Sequence, residues 1–149
     1  MYDEIGIGDK SWSGKLARAT LRIMNHTTTE LLGTGTSLIV ESNYRPDLAS
    51  DEFTELQKQY PFRCVQVVCR TDPDALAQRV HHRSTTNRHP GHNDIASEQE
   101  HRDDAKRRLE NSEDQPLDIP GSVVIIVDTT DFTSVNMDDI VAQIRTATV

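Results

Sequence analysis

The chain has 149 residues, room for one domain with a buried core. A net charge of −8 argues against a general nucleic-acid binder, which needs a basic surface. Mean hydropathy of −0.60 with 5% aromatic residues points to a thin core, no apolar run reaches the length of a membrane span, and "MYDEIGIGDK" lacks the layout of a signal peptide.

In chain order, the first motif is "GIGDKSWSGKL", Gly6 to Leu16. Its glycines and its Gly14-Lys15 pair suggest a phosphate-binding loop. Such a loop needs four residues between its first glycine and a Gly-Lys-Ser/Thr end, a buried strand before it and a helix after it. Gly8 and Gly14 enclose five residues, Leu16 stands where the hydroxyl belongs, and no strand pattern precedes them. The segment reads instead as a polar turn feeding a helix, with Ser11 or Ser13 as the cap and Trp12 stapling it to the core.

Leu16, Thr20, Ile23, Met24, Thr27 and Leu31 then recur at helical spacing, and Gly33 ends the run. Three short β-branched runs follow: "SLIVE" (37–41), "CVQVVC" (64–69) and "VVIIV" (123–127). They are mostly non-alternating, which predicts strands covered on both faces of a parallel sheet. Between them, Ser50 or Asp51 would cap a helix through Lys58, stopped before Pro61. Asp72-Pro73 opens another to about Arg83. "DIASEQEHRDDAKRRLEN" (94–111) reads as an exposed, charge-laced helix. A last helix runs from about Met137 to Thr146, with Ile140, Val141 and Ile144 on its apolar face. The least structured stretches are 84–93 and 111–121. Cys64 and Cys69 sit in one predicted strand and point to opposite faces, so they do not readily pair; a reduced, cytoplasmic setting is expected. Strands alternating with helices predict a single α/β domain over 1–149 with a parallel sheet.

Glu41 ends a predicted strand, with Asn43 and Arg45 close behind. An acid there lies where α/β sheets bind ligands, although a charged residue leaving the sheet before Pro46 fits the position as well. From Arg79 to His92 the chain has three arginines, four histidines and no acid, a local reversal of its overall charge. Arg79 and Arg83 share a helix face and Arg88 follows. Arginine forks suit phosphate oxygens, and the plain alternative is a solvated helix end where cations are favoured. His81, His82, His89 and His92 invite a zinc reading, but the arginines repel a cation and no cysteine is near, so no metal site is expected. Asp128, Thr129 and Thr130 follow the last predicted strand.

These segments, taken together, resemble the small P-loop kinases of the ATP-binding "predicted kinase" type, relatives of chloramphenicol phosphotransferase, zeta toxin and gluconate kinase. "SLIVESNYRP" is similar to their second acidic-ended strand. "GIGDKSWSGKL" resembles a segment after their phosphate loop. "VVCRTDPDALAQRVHHRSTTNRHPGH" is similar to their fourth strand, the next helix and the arginine-bearing lid. "VVIIVDTTD" resembles their last strand. The resemblance implies a three-layer P-loop NTPase sheet of 2-3-1-4-5 order, here incomplete with about three strands and flanking helices, and a lid at about 79–110. It implies transfer of the ATP γ-phosphate, with Mg2+, to a small-molecule hydroxyl.

The resemblance also implies roles. Glu41 would order magnesium-bound water or the acceptor hydroxyl, and Arg83 and Arg88 would act in the lid over the phosphates. Arg79 would join them at the nucleotide, Asp128 and Thr129 would pass near adenine, and Asp9, Trp12, Asn43 and Arg45 would border the acceptor. The family begins with a strand, a phosphate loop and a helix that this sequence lacks. The chain is therefore expected to be the C-terminal portion of such a domain, for example through a start assigned at an internal Met1, and inactive alone. Its apolar strand edges would favour self-association. A non-catalytic binding or interaction module derived from such a kinase is the other reading.

Overall fold

The computed structural model describes residues 2–86, 88, 89, 92 and 96–148. A single helical turn, α1 (Tyr2–Ile5), precedes the long helix α2 (Lys10–Gly33). α2 starts earlier than the apolar pattern predicts because Asp9, in extended backbone, accepts the Trp12 N–H at 2.8 Å. Asp9 is thus the cap, and Ser11 and Ser13 are not. Trp12 does not staple the turn to the core. Its indole N–H reaches the Gly6 carbonyl at 3.4 Å, and its side chain lies so close to Gly8 that a Cβ there would run into it. Near the other end, the hydroxyls of Thr27, Thr28 and Thr29 each bond the carbonyl four residues back, which lets a threonine run stay helical.

The expected strand at 37–41 is absent: the segment belongs to no helix or strand, and Ile39 is 97% exposed. A β-branched run becomes a strand only where a neighbour supplies its ladder, and among the described residues only two strands pair. The helix after it, α3 (Pro46–Gln59), starts at Pro46 rather than at Ser50 or Asp51. Proline needs no N–H donor at the first helical position, and Asp47 beside it suits the positive helix end.

The two strands are β1 (Val65–Arg70) and β2 (Val123–Asp128), parallel and in register from Val65 opposite Val123 to Arg70 opposite Asp128. Burial alternates along β2: Ile125 and Val127 are buried while Val124 and Ile126 are exposed. The expectation of strands covered on both faces therefore fails for this sheet, and one face stays open among the described residues. Gln66 ties β1 to the segment before β2, donating to the Leu117 carbonyl and the Ser122 hydroxyl and accepting from the Leu117 N–H.

Helices α4 (Pro73–Thr86) and α5 (Glu98–Glu110) pack together, each with a small buried residue, Ala77 and Ala105. The Asp72 carboxylate accepts from the Asp74 and Ala75 N–H groups, the predicted cap before Pro73. α5 opens with a capping box between Ser97 and Glu100. Residues 94 and 95 of that predicted helix lie outside the described residues, as do 87, 90, 91 and 93 of the predicted lid. A short 3-10 turn, Phe132–Ser134, leads to α6 (Met137–Thr148), which runs beside both strands. The core is thin, as the composition predicts: Ala49, Ala77, Ala105, Ile119, Ile125 and Val127, with no large side chain fully buried among the described residues. Cys64 and Cys69 are both free, and burial pushes the Cys64 thiol up. No helix among the described residues is long and apolar enough to cross a membrane.

Candidate functional site

The carboxyl ends of β1 and β2 lie side by side because the strands are parallel and in register. Two short hydroxyl-bearing loops leave them, and side-chain bonds lock the loops together. The Thr129 N–H and hydroxyl both donate to the Arg70 carbonyl, at 2.7 and 2.9 Å. The Thr71 and Thr129 hydroxyls stand 2.6 Å apart, and the Asp72 N–H donates to the Thr130 hydroxyl at 2.9 Å. Thr129 is buried, so its three bonds satisfy groups that water does not reach.

Arg79, in the second turn of α4, closes this arrangement from the side. Its guanidinium donates to the Thr129 and Thr130 carbonyls at 2.6 Å each and lies 4.0 Å over the exposed Phe132 ring. Asp128 ends β2 with an exposed carboxylate. The Thr130 N–H, and then its hydroxyl, hold that carboxyl below its ordinary range. Asp131 is held down in the same way by the Thr133 N–H and hydroxyl, with Arg79 adding a smaller effect. The result is a rigid shelf at the carboxyl edge of a parallel pair, where open α/β sheets place ligands.

Of the residues singled out in the sequence, Arg79, Asp128 and Thr129 meet on this shelf. Arg79 acts there as a positioning residue, since both ends of its fork are on backbone carbonyls. Arg83 is one turn further along α4 and exposed, and its carbonyl accepts the Arg88 N–H at 3.0 Å. Glu41 sits at the rim of an open hollow of about 370 Å³ between α2 and segment 38–41, floored by Met24, Leu31, Leu38 and Val40. Asn43 is exposed. Arg45 grips Asp47 with two bonds, 2.8 and 3.1 Å, and lies 3.8 Å from Glu113. Asp9 and Trp12 are engaged at the start of α2.

Three residues of weight went unpredicted. Thr71 completes the shelf beside Thr129 and the already noted Thr130, and Phe132 receives the Arg79 cation. Their signal was the hydroxyl–acid pattern after each apolar run, "RTD" and "DTTD", which recurs at both strand ends. Glu113 is the third, in the stretch expected to be least structured. Its side chain is only 10% exposed and gathers Arg107 at 3.0 Å, Arg108 at 3.7 Å and Arg45 at 3.8 Å.

No protein-family model matches the chain, and no curated protein does. Among solved structures it is similar to a "putative kinase" from Chloroflexus aurantiacus J-10-fl, with a TM-score of 0.80 and 29% sequence identity. The match spans 99% of this chain and 77% of that one. The chain thus has a mixed α/β, kinase-like fold, with a two-stranded parallel sheet flanked by helices.

Proposed function

We propose that the chain is a phosphotransferase-type domain of the P-loop class, contributing the acceptor side, the nucleotide shelf and the lid of a small-molecule kinase. The observation that carries this reading is the kinase-like fold shared over 99% of the chain. Two features support it further: the shelf lies at the carboxyl edge of the parallel strands, and α4 beside it carries Arg79 and Arg83, with Arg88 just past its end, in an acidic protein.

ATP with Mg2+ is the cofactor this class implies, and the described residues fit it only in part. Asp128 and the exposed Phe132 ring offer a shelf suited to a planar base and its sugar hydroxyls, with the buried Thr129 holding it in place. The triphosphate and its metal need a cradle of consecutive N–H groups with a lysine and a hydroxyl, and the sequence contains no G-x-x-x-x-G-K-[ST]. The Arg79 fork is already engaged. In the proposal, Glu41, Asn43, Arg45, Asp9 and Trp12 belong to the acceptor side, and Arg83 and Arg88 meet phosphate oxygens when the lid closes.

Isothermal titration with Mg·ATP and with adenosine, beside an ADP-release assay over a panel of small hydroxyl compounds, tests this. Weak nucleoside binding with little turnover is expected. Substantial ATP turnover by the chain alone would overturn the inactivity, and absence of any nucleoside binding would overturn the nucleotide shelf. The second outcome leaves the non-catalytic module, a reading that the engaged Arg79 fork already favours.

A further inference from the structure

α2 is a basic helix in an acidic protein. From Lys10 to Thr29 it holds Lys10, Lys15, Arg18 and Arg22 and no acid. Lys15, Arg18 and Arg22 repeat at three- and four-residue spacing, so they fall on one face, and all three are exposed. No ion pair engages them among the described residues. Between them lies an open hollow of about 370 Å³ with Ala19 and Ile23 as its apolar part, and Ile23 is 68% exposed. The face is a cationic rim around an apolar floor.

α3 presents the converse. Leu48 stands 66% exposed, and Asp51, Glu52 and Glu55 lie three, four and seven residues on, on the same outward face. Glu55 pairs with Lys58, while Asp51 and Glu52 engage no cation among the described residues. The inward face of α3 is occupied separately, through buried Ala49 and the half-buried Phe53 and Leu56. This face is an anionic rim around an apolar knob.

We infer that the chain binds a second copy of itself, with Leu48 of one protomer seated in the Ala19–Ile23 hollow of the other. Asp51 and Glu52 then meet Lys15, Arg18 and Arg22 across the contact. Each chain carries both faces, so protomers related by a two-fold axis would make the contact twice. Opposite local charge around a matching apolar contact selects this occupant over nucleic acid, which offers no apolar knob to sit between Ala19 and Ile23.

Sedimentation velocity on the full chain, across concentration and salt, reads the inference. A concentration-dependent dimer that weakens with added salt is expected, since exposed charges are screened over about 10 Å at 0.1 M. The triple variant Lys15→Glu, Arg18→Glu, Arg22→Glu is expected to be monomeric, as is the double variant Asp51→Lys, Glu52→Lys. Mixing the two would restore a heterodimer. Leu48→Ser leaves the charges alone and raises the dissociation constant roughly tenfold or more. Far-UV circular dichroism checks that each variant folds; should a reversal variant not fold, Leu48→Ser and the wild-type salt series decide. A wild type that stays monomeric, or a dimer indifferent to salt, overturns the inference. So does a dimer that survives both reversals, which would move the contact to the open edges of the sheet.

Discussion

The Arg79 guanidinium and the Thr129 carbonyl, 2.6 Å apart, join the second turn of α4 to the loop after β2. A cation that sequence reasoning reserved for phosphate is engaged with backbone. If the bond holds the loop, Arg79→Ala lowers stability by about 1.5–3 kcal/mol, the range for hydrogen bonds to a charged group. Urea unfolding should report this as a lower midpoint with unchanged slope. Arg79→Lys keeps the charge but not the fork, and should recover less than half. Unchanged stability in Arg79→Ala would mean that the side chain is free to serve a ligand instead.

Gln66 makes a comparable bridge inside the sheet. Its amide takes the Leu117 carbonyl at 2.8 Å and the Ser122 hydroxyl at 2.9 Å, and its carbonyl takes the Leu117 N–H at 2.7 Å. Gln66→Leu preserves bulk but strands both backbone groups of Leu117. The expected cost is about 1–3 kcal/mol. Hydrogen exchange adds a local readout: the Leu117 amide should lose protection before the β1–β2 ladder does.

How far such contacts were legible depends on their range in sequence. Asp72-Pro73, the Ser97–Glu100 box and the apolar runs of β1 and β2 are local signals, and the structure keeps them. "SLIVE" carries the same composition as those strands yet forms none, because a ladder depends on a neighbour and not on the run itself. The role of Gln66 left no local signal, since its partners lie 51 and 56 residues away. In the candidate site, the position of Asp128 and Thr129 at a strand end was readable. The locking of Thr71 to Thr129, and of Arg79 to both carbonyls, was not, because parallel register decides which loop ends meet.

Glu113 shows the same limit with charges. The stretch "NSEDQP" falls in a segment expected to be least structured, yet one carboxylate in it collects three guanidinium groups, from Arg45 before α3 and from Arg107 and Arg108 on α5. Arg45 brings Asp47 and Arg107 brings Asp104, so the cluster is neutral as a whole. Glu113→Ala leaves like charges facing each other and should destabilise the chain more than Asp103→Ala, a nearby exposed acid on α5. Added salt should shrink that difference, because the arginines are 35–53% exposed and their repulsion is screened. A difference that persists in high salt would point to lost packing instead.

The capping box of α5 fixes the acid response of the helix pair. The Ser97 N–H, then its hydroxyl, then the charge of His101 hold the Glu100 carboxyl below the ordinary glutamate range. A carboxylate lowered in the folded state contributes stability above its unfolded value and loses it as pH falls toward the folded one. The unfolded chain binds the extra proton over that interval, so unfolding is favoured by acid from about pH 5 downward. Asp128 and Asp131, lowered by their own turns, add to the same slope. Glu100→Gln keeps the length of the side chain and removes its titratable charge. Its unfolding midpoint should lie slightly below wild type at neutral pH, because the amide still reaches the cap but without the charge. The gap should close as the pH is lowered through the carboxylate range. Parallel curves for wild type and Glu100→Gln would show that the box carries none of the acid sensitivity.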